Sequence, residues 1–180
     1  MRLAVTGANG FVGATLVRQL LGDHDVLAID SLRYGPWRFS ADELAQMETS
    51  TIDLRDSKDC EAVIDGFGPD AIVHLAAIHF IPECELDPSL AVSTNVQATV
   101  NLARCCPPGA RFVLASSGAV YSPKVGPHDE TADETTPSDV YGYTKLHAEQ
   151  LVRYFALKRG FEAVLIRLFN VIGPGETNPH

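Results

Sequence analysis

The chain has 180 residues, 46% of them apolar and 21% charged, enough for one globular domain with a single sizeable core and incompatible with a disordered chain, a collagen repeat or a coiled coil. Fourteen Lys and Arg stand against 23 Asp and Glu, a net charge of −9, whose field repels phosphate backbones and anionic lipid. Nucleic acid and membrane surfaces are therefore poor partners, and an anionic ligand has to be held by local backbone N–H groups and a few placed cations. No apolar run approaches the ~20 residues that span a bilayer. The first residues, Met1 to Thr6, lead straight into a strand pattern with no signal-peptide layout, so the expected location is the cytoplasm.

In chain order, short β-branched runs alternate with longer helical patterns. Strands are predicted over residues 2–6, 26–29, 51–53, 71–75, 111–116 and 162–168. Most lack polar alternation, as strands covered on both faces do. A first helix is predicted from Gly10 to a stop at Gly22, burying Phe11, Leu16, Val17 and Leu20. A second has Asp87 as N-cap and Pro88 at its first position, and buries a Val92, Val96, Val100 stripe as far as Arg104. A third opens at Ser138, buries Ala148, Leu151, Val152 and Phe155, and stops at Gly160. Segments 31–40, 80–85 and 122–136 read as loops. The fold class is α/β: a doubly wound parallel sheet of the Rossmann type. One domain over residues 1–180 is expected; because Gly173 to His180 follow a strand with no closing helix, the chain is expected to stop short of a further lobe.

Directly after the first strand comes Thr6-Gly7-Ala8-Asn9-Gly10-Phe11-Val12-Gly13. Between a strand and an amphipathic helix, glycines at this spacing serve a tight turn, a close backbone approach to a pyrophosphate and a close helix contact, while the helix N-terminus offers free N–H groups. Asp30 closes the second strand, where a carboxylate accepts from the adenosine ribose hydroxyls and repels a 2′-phosphate, which favours NAD over NADP; Arg33 nearby is the contrary signal. Asp53 is placed either to accept from the adenine amino group or as an ordinary turn residue, and Trp37 with Tyr34 and Arg38 either to cover the ring or to pack the loop.

Tyr141 and Lys145 stand four apart on the third helix, on one face. Moving a phenol from about 10 to about 7 takes roughly 4 kcal/mol, which one ammonium and a cationic nicotinamide ring can supply. Such a tyrosine gives or takes a proton at neutral pH. Ser116 and Ser117 emerge at the carboxyl edge of the fifth strand, the ligand crevice of such sheets; Ser117 is the expected partner of a substrate hydroxyl. The four cysteines, Cys60, Cys84, Cys105 and Cys106, form no C-x-x-C and have no histidine at ligand spacing, so no metal is expected. His74 reads as a strand-end histidine satisfied by backbone, His24, His128 and His180 as surface residues, and His147 as a helix-face residue.

Together, the glycine turn, Asp30, His74-Leu75-Ala76-Ala77, Asn95 to Thr99, Ser116-Ser117, Tyr141 to Lys145 and Arg167 to Val171 resemble the extended short-chain dehydrogenase/reductase family, in its NAD-dependent epimerase/dehydratase branch. The resemblance covers essentially the whole chain. It implies Tyr141 as acid/base, Lys145 as the group that shifts it and contacts the nicotinamide ribose, and Ser117 as substrate partner. Cofactor contacts are then expected at Gly7, Asn9, Gly10, Phe11, Val12, Gly13, Asp30, Ser31, Asp53, Leu54, Leu75, Ala76, Ala77, Asn95, Tyr141 and Lys145, with His79, Ser117, Tyr141 and Asn170 toward the substrate. The implied reaction is epimerisation of a nucleotide sugar, at C4 of a UDP-hexose, through a transient keto-sugar. Dehydratase relatives carry an acid after the serine, where this chain has Gly118 and Ala119. A nucleotide-sugar reductase, dehydrogenase or dehydratase and a non-catalytic dinucleotide-binding protein are the alternatives. Relatives dimerise through two helices per subunit, one corresponding to the helix opening at Ser138; its outward Gln150, Arg153 and Tyr154 leave a homodimer open. Relatives are also longer, with a C-terminal lobe that holds the nucleotide.

Overall fold

The computed structural model describes residues 1–176. Six strands, β1 (Arg2–Thr6), β2 (Asp25–Asp30), β3 (Glu48–Thr51), β4 (Ala71–His74), β5 (Arg111–Ser117) and β6 (Glu162–Leu168), form one sheet in the order β3-β2-β1-β4-β5-β6. All of its pairings are parallel. The expected α/β architecture is thus present, and β1, β5 and β6 run where they were predicted to within a residue.

Consecutive residues of the central strands feed opposite faces. Ala4, Leu27, Ile29, Ile72, Phe112 and Leu114 pack against α3 (Ser57–Phe67), α6 (Ala98–Cys105) and α7 (Val140–Arg159). Val5, Val26 and Ala28 pack against α1 (Phe11–Leu20) and against Phe39, which precedes the short α2 (Ala41–Leu44). Each fully buried Leu, Ile or Phe removes enough apolar surface from water to contribute about 1.5–3 kcal/mol, so the central strands tolerate no polar face. Among the described residues no helix is long and apolar enough to cross a membrane.

Four local predictions are corrected. β3 is Glu48–Thr51, not 51–53: it pairs only with β2, and Asp30, the last residue of β2, is already opposite Thr51. Ile52 and Asp53 therefore have no strand to join. The predicted loop at 80–85 contains helix α4 (Ile81–Leu86), with Pro82 in its first turn and Cys84 buried. Helix α3 is absent from the predicted elements, although Cys60, Val63, Ile64 and Phe67 form a helical i, i+3, i+4, i+7 stripe on its core face. Asp56 caps it by accepting from the backbone of Lys58 and Asp59, and Gly68 ends it in the left-handed region. The third helix starts at Val140, capped by Asp139 rather than Ser138.

The helix predicted from Pro88 to Arg104 is three pieces: α5 (Pro88–Val92), a π turn (Ser93–Gln97) and α6. Its buried face is not the valine stripe. Val92 is 49% exposed, while Ala91, Asn95, Ala98, Thr99 and Leu102 are buried. The wide turn has an identifiable cause, since Thr99 Oγ1 donates to the Asn95 carbonyl at 2.6 Å and the Asn95 side chain is drawn inward by three hydrogen bonds.

Candidate active site

β1 runs into the glycine turn with Gly7 at φ +66°. A Cβ there would lie 2.6 Å from the Ala76 backbone nitrogen, and one on Gly13 would lie 2.1 Å from the Gly7 carbonyl oxygen. Gly7 and Gly13 are therefore demanded by the protein's own packing, Gly13 against the turn itself. A Cβ on Gly10 would meet only the Gly7 oxygen, at 3.2 Å, so this position leaves room above the turn. Helix α1 starts there with no side-chain cap and no acidic residue in its first turn. Its N–H groups and positive dipole end face the groove, a cradle suited to a pyrophosphate.

The walls are built by short polar ties. Asp30 accepts from the backbone N–H of Asn9 (3.0 Å) and of Leu32 (2.9 Å), which aims its carboxylate while leaving further lone pairs for ribose hydroxyls. The Asn9 side chain, expected toward the cofactor, instead braces the 31–40 loop, donating to the Pro36 carbonyl (2.9 Å) and accepting from the Arg38 backbone (2.8 Å). Asp53 is gripped by the Arg55 guanidinium, which holds its carboxyl below the usual range. Leu54 is buried in the core, and its carbonyl accepts from Asn101; its side chain lies beneath the groove rather than in it. Ser31 is exposed, while Phe11, Val12, Leu75, Ala76 and Ala77 are half-buried around the turn. Trp37 packs beside Phe39 on the α1 face, the ordinary loop packing. The chain returns to the turn after β6, where Phe11 stands against Gly173 and Arg38 Nη2 donates to the Gly175 carbonyl (3.0 Å).

At the far end of the groove β5 delivers Ser116 and Ser117, followed by a 3-10 turn (Gly118–Val120). The two serines separate. Ser116 is buried and hydrogen-bonds Glu149. Ser117 Oγ accepts from the Ala119 backbone N–H (3.1 Å) and lies near enough to the Tyr141 phenol to lower its pKa. Helix α7 comes so close to the turn that a Cβ on Gly142 would sit 2.4 Å from the Ala119 carbonyl oxygen. That contact seats Tyr141 beside Ser117.

Lys145 is 4% exposed and donates from Nζ to the Ala115 carbonyl at 2.9 Å. Its Nζ lies 5.9 Å from the centre of the Tyr141 ring. The electrostatics differ from the expectation of a lysine-stabilised phenolate. Burial pushes Tyr141 above its ordinary 10.0, with the nearby Ser117 hydroxyl working against it. Burial also pulls Lys145 down to about 8. In the protein alone, desolvation dominates, and the phenol is protonated at neutral pH.

Several functional supports escape a reading by sequence. Asn95, expected among the cofactor contacts, is a buried brace: it accepts from the Ile78 backbone N–H (2.8 Å) and donates to the Ile78 carbonyl (2.9 Å) and to Thr144 Oγ1 (3.0 Å). It ties the end of β4 to the helix of Tyr141. Glu149 and Arg167 form a buried two-pronged pair (2.9 and 2.8 Å), with the guanidinium 4.7 Å over the Tyr121 ring. Both lie where apolar periodicity gives no signal. His79, in the segment after β4, and Asn170, just past β6, are exposed, at the carboxyl edge expected to face substrate. His128 is not a surface residue, being stacked on Tyr121 at 4.4 Å and bonded to Asp133 at 2.9 Å. His24 is half-buried, with Nδ1 shielded from solvent, and His147 stands 6.3 Å from the Tyr143 ring. His180 lies outside the described residues. The cysteines are all free thiols, and burial raises Cys60 and Cys106 to about 12.

His74 is satisfied by side chains rather than backbone. Thr99 Oγ1 spends its proton on the Asn95 carbonyl, so it accepts from His74 Nε2 (2.9 Å), and Nδ1 accepts from Thr6 Oγ1 (2.6 Å). The imidazole is thereby held neutral with its proton on Nε2. Burial, with the Lys145 charge, pushes it down from 6.5 to about 3. The unfolded chain therefore binds this proton first. The histidine's contribution to stability is complete above pH 6.5 and falls by about 1.4 kcal/mol per pH unit as pH drops toward 3. In urea unfolding between pH 4 and 7, His74→Gln is expected to show a shallower acid loss than the parent; parallel curves would refute the assignment.

The sheet order and the glycine turn at its switch point define a Rossmann-type dinucleotide-binding domain. Sequence comparison then places it: the chain belongs to the NAD dependent epimerase/dehydratase family, whose profile matches residues 3–180. It is 32% identical over 177 residues to the UDP-glucose 4-epimerase of Lacticaseibacillus casei, covering 96% of this chain and 52% of that protein. It is 30% identical over 182 residues to the GDP-6-deoxy-D-mannose reductase of Pseudomonas aeruginosa, covering 97% and 54%. The crystal structure of Thermus thermophilus UDP-glucose 4-epimerase complexed with NAD matches with a TM-score of 0.87 and 28% identity, over 100% of this chain and 58% of that one. The chain spans about half the length of the curated relatives it matches.

Proposed function

We propose that this chain is the NAD-binding part of a nucleotide-sugar epimerase, acting at C4 of a UDP-hexose. The observation that carries the reading is buried Lys145, held on the Ala115 carbonyl with its Nζ 5.9 Å from the centre of the Tyr141 ring, at the same sheet edge as Ser117 and the open, uncapped start of α1. The residues fit the dinucleotide: Gly10 leaves space over the turn, α1 offers N–H groups to the pyrophosphate, and Asp30 keeps acceptor capacity for the ribose. When bound, NAD supplies the hydride acceptor and donor together with a positive charge in the groove.

The chain's own residues handle the proton. Tyr141 Oη, beside Ser117, is the group that exchanges a proton with a sugar hydroxyl, and Ser117 Oγ, already oriented by the Ala119 N–H, positions that hydroxyl. Because burial keeps the phenol protonated in the protein alone, Tyr141 becomes a base only once positive charge enters the groove, which couples proton removal to an occupied site. Epimerisation is favoured over dehydration because Gly118 and Ala119, which follow the serine, supply no second acid.

Two measurements test this. Calorimetric titration should show NAD binding to the purified chain, and mass spectrometry of nucleotide released on denaturation should identify it; no binding would end the proposal. Where UDP-glucose/UDP-galactose interconversion is measurable, Tyr141→Phe should lower kcat by about 10²–10⁴-fold with NAD affinity unchanged within about twofold. Retained turnover would remove the tyrosine from the mechanism.

A further inference from the structure

In the order β2-β1-β4, the segment after β2 and the helix after β4 stand two strand spacings apart, about 10 Å, on either side of the glycine turn. Two side chains of that segment reach across. Arg33 Nη2 meets Glu83 Oε1 of α4 at 2.7 Å, its guanidinium lies 5.3 Å over the Tyr34 ring, and the Tyr34 hydroxyl donates to the same carboxylate at 3.3 Å. Arg33 follows Asp30 by three positions. Leu32, the one non-glycine residue with positive φ among those described (φ 55°), folds the segment back so that its N–H reaches the Asp30 carboxylate. Arg33, the arginine nearest Asp30 in sequence, is thus engaged across the groove by Glu83. The other arginine of the segment, Arg38, has its Nη2 on the Gly175 carbonyl.

A dinucleotide carrying a 2′-phosphate would bring about two negative charges to Asp30 and needs a guanidinium to offset them. We propose that Glu83 is a cofactor-specificity residue: by holding Arg33 across the groove, it withholds the counter-charge that a 2′-phosphate requires. Discrimination against NADP then has two sources on different elements, repulsion by Asp30 after β2 and sequestration of Arg33 by Glu83 on α4. The inference deepens the proposed function and rests on the groove's binding a dinucleotide.

The test is calorimetric affinity for NAD and NADP in the parent chain, in Glu83→Gln and in Glu83→Gln/Arg33→Gln, with circular dichroism confirming that each is folded. The expected result is that Glu83→Gln tightens NADP about threefold to fivefold while NAD stays within about twofold, and that adding Arg33→Gln returns NADP to the parental value. NADP affinity unchanged in Glu83→Gln, or NAD and NADP weakening together, would overturn the proposal and leave the pair as a structural tie. NAD binding in the parent with unaltered discrimination in the variant defeats this inference alone, whereas a parent that binds neither dinucleotide defeats it together with the proposed function.

Discussion

Gly13→Ala is expected to destabilise the chain by at least about 3 kcal/mol and to abolish dinucleotide binding. The added Cβ would lie 2.1 Å from the Gly7 carbonyl oxygen and 2.9 Å from Ala8 Cα, so relief requires moving backbone. Neither side can yield: Gly7 is itself pressed against Ala76, and Val17, one turn further along α1, is fully buried in the core. Lifting α1 would break that packing and carry its N–H groups away from the cradle. Gly10→Ala is the informative contrast. Its Cβ meets only the Gly7 oxygen at 3.2 Å, so stability should change by less than about 1 kcal/mol while NAD binding weakens, because the methyl occupies the space over the turn. Urea unfolding separates the two variants; equal stability losses would refute the division of labour between the glycines.

Arg167→Met is expected to cost about 3–5 kcal/mol, because it leaves Glu149 charged and buried with only Ser116 to stabilise it. The pair is almost enclosed, with side-chain exposures of 18% and 3%, and the guanidinium also covers Tyr121. The double variant Glu149→Leu/Arg167→Met should recover most of the loss, since removing both charges removes the desolvation penalty. A double-mutant cycle by denaturant unfolding measures the coupling; losses that simply add would show that the pair contributes nothing as a pair. Ser116 joins Glu149 to β5 next to Ser117, so the single variant should also loosen the sheet edge at which Tyr141 is seated.

Much of this protein is legible in its sequence. The turn from Gly7 to Gly13 follows a strand and opens a helix, and that context makes its meaning readable; Asp30, Ser117, Tyr141 and Lys145 stand out for the same reason, by their places at strand ends and helix starts. Asn9 is misplaced by sequence because an amide after a glycine turn has two uses, ligand contact or loop brace, and the choice depends on where Pro36 and Arg38 come to rest. The valine stripe of the second predicted helix fails because Asn95 and Thr99 bend the backbone into a π turn, after which apolar spacing no longer reports the buried face. Glu149 and Arg167 are invisible as a pair, since a charged residue in a helix or strand normally reads as solvated.

Local chemistry along the chain therefore determined the architecture and marked the candidate site groups: strand and helix periods, the glycine spacing, and a phenol, an ammonium and a hydroxyl at element boundaries. Tertiary structure alone decided the protonation of those groups and the partners of the polar ones. Burial acts through every atom packed around a group, so the rise of Tyr141, the fall of Lys145 to about 8 and the engagement of Arg33 by Glu83 depend on which surfaces meet in space, a quantity that spacing along one chain does not contain.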